Sequence, residues 1–138
     1  MATGIPLLLA RILLSAMFLS SGYAALSDIT GTAGYFTGLG LEPGPLLAWG
    51  VGIFELAAGA LVLIGFLTRP TAMVLALFTL AATYLGHFGQ GGGDAAAAFV
   101  HNQALLKDLA VAGGMILLAI QGAGVLSVDK WRAASGSS

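Results

Sequence analysis

The chain has 138 residues, of which 58% are hydrophobic and 8% are charged, and its mean hydropathy is +0.96. Soluble domains carry about 25% charged residues, so this composition excludes an ordinary soluble protein and indicates a protein of the lipid bilayer. The absence of cysteine excludes thiolate catalysis and cysteine-held clusters, and a net charge of −1 without a basic patch excludes nucleic acid as a partner.

Four apolar stretches follow one another along the chain, each close to the roughly 20 residues that a helix needs to cross a bilayer. They cover residues 5–26, 46–67, 71–88 and 105–126. We therefore predict an all-α fold, a four-transmembrane-helix antiparallel bundle with a polar axis, which forms a single membrane domain over residues 1–132. Residues 133–138 are small and polar and are predicted to form a flexible tail.

Turn-forming residues separate the stretches. Pro43 and Pro45 precede the second stretch, and Pro70 closes a short link to the third, because proline is best tolerated at the start of a helix. The second and third helices are therefore predicted to be antiparallel neighbours. The third break is rich in glycine and leads into residues 95–100, which we expect to form a short surface helix that acts as a plain linker or as a flap.

The positions of the basic residues predict the orientation. Arg69 lies between the second and third stretches, and Lys130 and Arg132 follow the fourth, whereas the break at residues 27–45 contains neither lysine nor arginine. Because basic residues accumulate on the cytoplasmic side of membrane proteins, both termini are predicted to be cytoplasmic.

Each stretch also carries a stripe of small or polar residues at helical spacing. Lipid cannot solvate polar groups, so the four stripes are expected to face one another along the bundle axis. The stripes consist of Arg11, Ser15, Phe18 and Gly22; of Gly52, Glu55 and Gly59; of Thr79, Thr83 and His87; and of Lys107, Gly114 and Gln121.

Depth along the helices divides the polar residues into two levels, of which the first lies on the axis. An isolated charge at the membrane centre costs at least about 2.5–3.5 kcal/mol, so we predict that Arg11, Glu55 and Gln121 cluster. The cluster is either a structural ion pair that fixes helix register or a site for ligand binding or proton handling; alternatively, a protonated Glu55 bonds to a serine. The polar-axis candidates are Arg11, Glu55, Gln121, Ser15, Thr79 and Thr83.

The second level lies at the outer interface. Two histidines with a carboxylate are compatible with a metal site, a proton relay, a mouth that recognises a ligand head group, or ordinary interfacial hydrogen bonding. Their spacing is not a metal-ligand signature, so no metal is predicted. The outer-level candidates are His87, His101, Asn102, Lys107 and Asp108.

Several short motifs along the four stretches share one order and spacing with a known family. They are Arg11 with Leu13 and Leu14, Ser21–Gly22, Glu55 with Gly59, residues 65–69, His101–Asn102, residues 107–110, and residues 122–124 with 127–129. Together they resemble the DoxX family of small bacterial integral membrane proteins, and the resemblance covers about residues 8–129.

The resemblance implies a multi-pass protein of a bacterial-type inner membrane with a link to redox complexes. Some members are subunits of thiosulfate:quinone oxidoreductase, and others are associated with a sulfurtransferase and superoxide dismutase in an oxidative-stress complex. Three hypotheses follow: an accessory or scaffold subunit that is not itself an enzyme, a quinone-binding oxidoreductase subunit in which Glu55 or His87 handles protons, and a small-molecule transporter. No cofactor motif is evident, although a quinone is compatible with the axis. The expected partners are lipid, proteins of a redox complex and further copies of the chain.

Overall fold

The computed structural model describes residues 4–137, whose regular secondary structure is entirely helical. The predicted all-α fold class is therefore confirmed. Three of the helices, α1, α3 and α5, are long and apolar enough to cross a membrane, so the chain is a multi-pass membrane protein. The helices are α1 Gly4–Ser27, α2 Ile29–Gly38, α3 Gly44–Ile64, α4 Thr68–Gly86, α5 Ala95–Gln121 and α6 Val128–Ser135.

Local signals explain where the long helices begin and end. Pro45 lies in the first turn of α3, and Gly65 stops α3 by adopting a left-handed conformation with φ 73°. Asp94 starts α5 by accepting hydrogen bonds from the N–H groups of Ala96 and Ala97. Residues 95–100 are thus the first turns of α5 and not the separate surface helix that we expected. α5 ends at Gln121, five residues earlier than predicted, because Gly122 takes a positive φ of 83°.

Two short helices lie in segments that we expected to be irregular. α2 occupies the predicted break at residues 27–45, and Asp28 caps its first turn. α6 follows Ser127, whose hydroxyl accepts a hydrogen bond from the Lys130 N–H, and it continues to Ser135, beyond the start of the predicted tail at Ala133. Both caps are residue types that favour helix starts, so the sequence does carry a signal for these helices.

The long helices pack as two pairs, because α1 contacts mainly α3 and α4 contacts mainly α5. Glycine permits the close approach of the first pair, since Gly22 on α1 lies against the backbone of Gly52 and Leu56 on α3. A shared core joins the two pairs through Phe18, Val62, Leu75 and Met115, all buried. Large apolar side chains are exposed on the outside, where lipid replaces water; they include Leu13, Ile53, Leu77 and Leu117.

Candidate functional site

Three of the four predicted stripes are buried along most of their length. On α5, however, Lys107 and Gln121 are exposed, and the inward-facing stripe runs one residue later, from the half-buried Asp108 to the buried Ala112, Met115 and Ala119. That stripe packs against α4, so the predicted stripe on the fourth helix is wrong by one position. The buried members on α1, α3 and α4 are Arg11, Ser15, Phe18, Gly22, Gly52, Glu55, Gly59, Thr79 and Thr83, and His87 is half-buried.

Arg11 joins three segments at one end of the bundle. Its Nε donates to the Val62 carbonyl oxygen at 3.0 Å, and its Nη2 donates to the Leu63 oxygen at 2.8 Å. Its Nη1 donates to the oxygens of Ala123 and Leu126 at 2.8 and 2.7 Å. The guanidinium thereby bonds to two carbonyls in the last turn of α3, of which the Val62 oxygen also accepts the Gly65 N–H, and its charge complements the helix dipole.

The predicted cluster of Arg11, Glu55 and Gln121 is wrong. Glu55 precedes Val62 by seven residues, which separates it from the guanidinium by about 10 Å along α3. Gln121 is exposed at the end of α5. Within residues 4–137, the ion pairs are those of Asp108 with His87 and with Lys107. The prediction paired the guanidinium with a charge, whereas neutral helix-end carbonyls solvate it.

Ser15 lies one turn further along α1, and its side chain bonds within α1. Its hydroxyl is fully buried and donates to the Ile12 carbonyl oxygen at 3.2 Å. This bond satisfies the hydroxyl's donor within α1.

Asp129 fastens α6 to the start of α4 beside Arg11. Its carboxylate accepts the N–H groups of Leu67 at 2.8 Å and Thr68 at 2.9 Å, and its own N–H donates to the Gly65 oxygen at 2.8 Å. Burial alone would raise the pKa of Asp129, but these N–H groups and the positive Arg132 outweigh burial and hold the pKa below its ordinary value. The family-like motifs at residues 65–69 and 127–129 are therefore the two halves of one structural joint.

Replacing Asp129 with alanine is expected to lower the free energy of unfolding by about 1–2 kcal/mol near pH 7, as for the loss of a helix cap. Because the folded-state pKa of Asp129 lies below the unfolded value, its contribution is complete above the unfolded pKa and disappears as the pH falls through the folded-state pKa. Unfolding in mixed micelles, followed from neutral to acid pH, should show the wild-type and Asp129→Ala curves converging. Lys130→Ala serves as the control, and a difference that does not change with pH would contradict this role.

The opposite end of the bundle carries a second polar group, the His87 cluster, which consists of His87, His101, Lys107 and Asp108. The Nδ1 atoms of His87 and His101 lie 3.0 Å apart, and His87 Nε2 lies 3.9 Å from Asp108 Oδ2. Lys107 Nζ lies 3.3 Å from Asp108 Oδ1. A hydrogen bond between two Nδ1 atoms requires one of them to lack a proton, so at least one imidazole is neutral.

Burial also favours the neutral form of His87, which follows the last residue of α4. Burial, together with the positive charge of Lys107 and the neighbouring His101, lowers the pKa of His87 below its ordinary value, although Asp108 opposes the shift. A neutral imidazole both donates and accepts a hydrogen bond, which suits proton handling and the recognition of a polar head group.

Glu55 lies between the two ends, in the middle of α3. It is 7% exposed, its hydrogen-bonding neighbour is the Ser21 side chain, and Asp108 is close enough to act on its charge. The pairing with a serine is the alternative that the sequence left open. The charged residue that acts on the Glu55 carboxyl is therefore Asp108, which repels its negative charge, and not Arg11.

A cleft opens beside the His87 cluster, between the end of α4 and the start of α5. It has a volume of about 490 Å³ and combines the rings of Phe88 and Phe99 with the polar side chains of His87, Gln90 and Asn102. A second cavity of about 550 Å³ lies between α3 and α4 and has an apolar lining that includes Leu47, Phe54, Val74 and Phe78. The described part of the chain holds no group of three or more histidine, aspartate or glutamate residues placed to bind a metal.

The sequence did not reveal several residues of this region. Phe88, Phe99 and Gln90 lie in the loop and first turns around the glycine-rich break, where periodicity gives no information. Ser21 bonds to Glu55 from a face of α1 beside the predicted stripe, which ends at Gly22. Tyr35 comes from the unexpected α2 and donates to the Gly86 oxygen at 3.3 Å.

Comparison with known proteins identifies relatives of this chain. The DoxX family profile matches residues 6–88. The chain is 35% identical to the inner membrane protein YqjF of Escherichia coli K12 over 128 residues, which cover 91% of each chain. It is 34% identical to the inner membrane protein YphA of the same organism over 131 residues, which cover 94% of this chain and 91% of YphA. No solved structure matches significantly.

Proposed function

The chain belongs to the DoxX family, and on that premise we propose that it is a quinone-binding membrane subunit of a redox complex in a bacterial inner membrane. Its relatives YqjF and YphA are named inner membrane proteins, which supports a location in the inner membrane. The proposal joins the first two hypotheses from the sequence, because the chain supplies a binding site while a partner protein supplies the electrons.

The proposed membrane arrangement has four antiparallel spans, with α4 as the fourth beside α1, α3 and α5. α4 has 19 residues, which give it a length of about 28 Å, close to the thickness of the hydrocarbon core. Arg69, Lys130 and Arg132 lie at the same end as Arg11, and the distribution of basic residues supports a cytoplasmic location for that end and both termini. The His87 cluster then lies at the outer surface.

The cleft beside His87 is the observation that carries the proposal. Its volume of about 490 Å³ falls in the range of small-molecule sites. Phe88 and Phe99 offer aromatic faces to a flat ring, and His87 and Asn102 offer hydrogen-bond donors to ring oxygens. A quinone has a flat ring with two carbonyl oxygens, and its apolar tail remains in the lipid.

The reduction of a quinone consumes two electrons and two protons, so the protein must supply protons at the ring oxygens. His87 is the candidate proton donor: His101 holds its Nδ1, whereas its Nε2 lies 3.9 Å from Asp108, too far for a hydrogen bond, and is the nitrogen available to a quinone oxygen. Transport through the axis is less well supported, because Arg11 closes the opposite end with four hydrogen bonds.

Equilibrium binding of a short-chain quinone to the purified protein in micelles tests the proposal. His87→Phe keeps a ring of similar size but removes both nitrogens, so it is expected to weaken binding about tenfold, the loss of roughly one hydrogen bond to a buried acceptor. Tyr84→Phe is the matched control, since it removes one polar atom from an exposed ring of α4 one turn before Phe88. Equal affinities for the wild type and His87→Phe would argue against the site.

A further inference from the structure

Two buried hydroxyl groups lie in the interior between Glu55 and the His87 cluster. Thr79 and Thr83 are each 3% exposed, and their hydroxyls make no hydrogen bond to another group within residues 4–137. Buried hydroxyls without a partner destabilise a protein, and an internal water with two to four polar partners is the usual remedy. Thr68, at the Arg11 end, has a third such hydroxyl, whereas Thr79 and Thr83 lie on the side of the His87 cluster, where internal water would supply the missing partners.

A ring contact fixes the depth of Thr79 relative to Glu55. The rings of Phe54 on α3 and Phe78 on α4 lie 4.9 Å apart. Both rings line the second cavity, the apolar groove between these helices. Glu55 and Thr79 each follow one of these phenylalanines directly, and both are buried. Since successive helical residues point about 100° apart, Glu55 and Thr79 turn from the groove toward the interior at the same level.

Thr83 lies between this level and the His87 cluster. It lies one turn, or about 6 Å, beyond Thr79 along α4 and one turn before His87. His87 contacts Asp108, which in turn acts on the charge of Glu55. On α5, the small side chain of Ala112 follows Asp108 along the inward-facing stripe and is 1% exposed.

We propose that Thr79 and Thr83 hold a short chain of internal waters that carries protons between the His87 cluster and Glu55. A proton enters at an imidazole nitrogen, each water accepts one proton and passes one on, and the Glu55 carboxylate becomes a carboxylic acid. No electron moves in these steps. The route depends on the proposed function only for the use of the proton on a quinone.

The route opens at one end of the bundle only. Toward the Arg11 end, the interior is filled by Phe18, Leu75 and Met115, all nearly or fully inaccessible. Beyond them lies the guanidinium of Arg11, whose positive charge repels protons. Ser21, Tyr35, Lys107 and Asp108 are the other polar or charged side chains near the path.

The rate at which the Glu55 carboxylate is protonated after a drop in pH tests the route without any quinone. Infrared difference spectra of the protein in liposomes report this step, and Glu55→Gln assigns the carboxyl band. Thr79→Val and Thr83→Val keep the shape of the side chain but remove the hydroxyl, so each is expected to slow protonation at least about tenfold, in line with a lost hydrogen-bond partner. Thr71→Val, on the first turn of the same helix, is the control and is expected to keep the wild-type rate.

The outcomes separate this inference from the proposed function. Valine variants that keep the wild-type rate, or a Glu55 band that does not respond to pH, would overturn the water route. A higher unfolding temperature of Thr79→Val at an unchanged rate would show that the hydroxyl lies in a dry core. Slowed protonation in a protein that binds no quinone would support the route and leave only the quinone proposal without support.

Discussion

Replacing Arg11 with leucine is expected to lower the free energy of unfolding by at least about 3 kcal/mol, because at least two hydrogen bonds to a charged donor, each worth about 1.5 kcal/mol or more, are lost. The guanidinium makes four such bonds, to Val62, Leu63, Ala123 and Leu126, at distances of 2.7–3.0 Å. Leucine fills part of the volume but removes the donor from the oxygens of Leu63, Ala123 and Leu126, while the Val62 oxygen keeps the Gly65 N–H. Arg11→Lys is expected to restore stability only in part, because an ammonium has three donors and lacks the planar fork of the guanidinium.

The control for this prediction is Arg132→Leu. Arg132 lies at the same end of the bundle, but it is exposed and contacts the Phe66 ring, 5.1 Å from its guanidinium carbon. An exposed cation–π contact contributes only about 0.5–1 kcal/mol. Unfolding with sodium dodecyl sulfate in mixed micelles, with helix content as the readout, measures both variants. Equal losses for Arg11→Leu and Arg132→Leu would show that Arg11 is not the structural joint described above.

Adding one methyl group at Gly22 is expected to cost about 1–3 kcal/mol and to weaken the packing of α1 on α3. A Cβ at this position would lie 2.8 Å from the Gly52 carbonyl oxygen and 2.9 Å from the Leu56 nitrogen. Both are backbone atoms, which cannot rotate away as the tip of a side chain can, so the helices must move apart. Gly22→Ala is therefore expected to lower the unfolding midpoint.

The matched control is Gly113→Ala. Gly113 is also helical, but a Cβ there meets nothing within 4 Å. Alanine also has the higher helix propensity, by about 1 kcal/mol, so this variant is expected to be neutral or slightly more stable. The two substitutions make the same chemical change and should have opposite effects. A neutral Gly22→Ala would mean that α1 and α3 do not approach as closely as described.

Much of the architecture follows from the sequence, because lipid leaves few alternatives. A polar or small residue at every third or fourth position of an apolar stretch must face another helix, and this rule found the buried faces of α1, α3 and α4. The same rule placed the buried face of α5 one residue too early, because Lys107 and Asp108 are adjacent and we assigned the lysine to the buried stripe. A long lysine side chain can carry its charge to the surface, whereas the shorter aspartate turns inward toward His87.

The partners of the charged residues were harder to predict. We predicted an ion pair of Arg11 and Glu55 because opposite charges attract. A guanidinium can equally be satisfied by backbone carbonyls, and a sequence carries no signal for which carbonyls lie within its reach. The depth of Glu55 was correctly near the middle of its helix, but its electrostatic neighbour Asp108 comes from a helix whose register was wrong. The cleft depends on loop residues around the glycine-rich break, for which periodicity predicts nothing.

The two ends of the bundle differ in the groups to which their charged side chains bond. At the Arg11 end, the charged side chains are bonded to backbone groups of several helices, which fixes the joint. At the His87 end, titratable side chains bond to one another beside a cleft, so their protons can be exchanged and a ligand can compete for their bonds. The first arrangement stabilises the fold, and the second supports binding.

Covalent labelling with a photoreactive quinone, followed by mass spectrometry of the labelled peptides, tests the central claim most directly. The account predicts that the label is found on the segment from His87 to Leu105, around Phe88, Phe99 and Asn102, and that excess unlabelled quinone suppresses it. Labelling confined to the groove around Phe54 and Phe78, or spread evenly over the lipid-facing leucines, would contradict a quinone site at the His87 cluster.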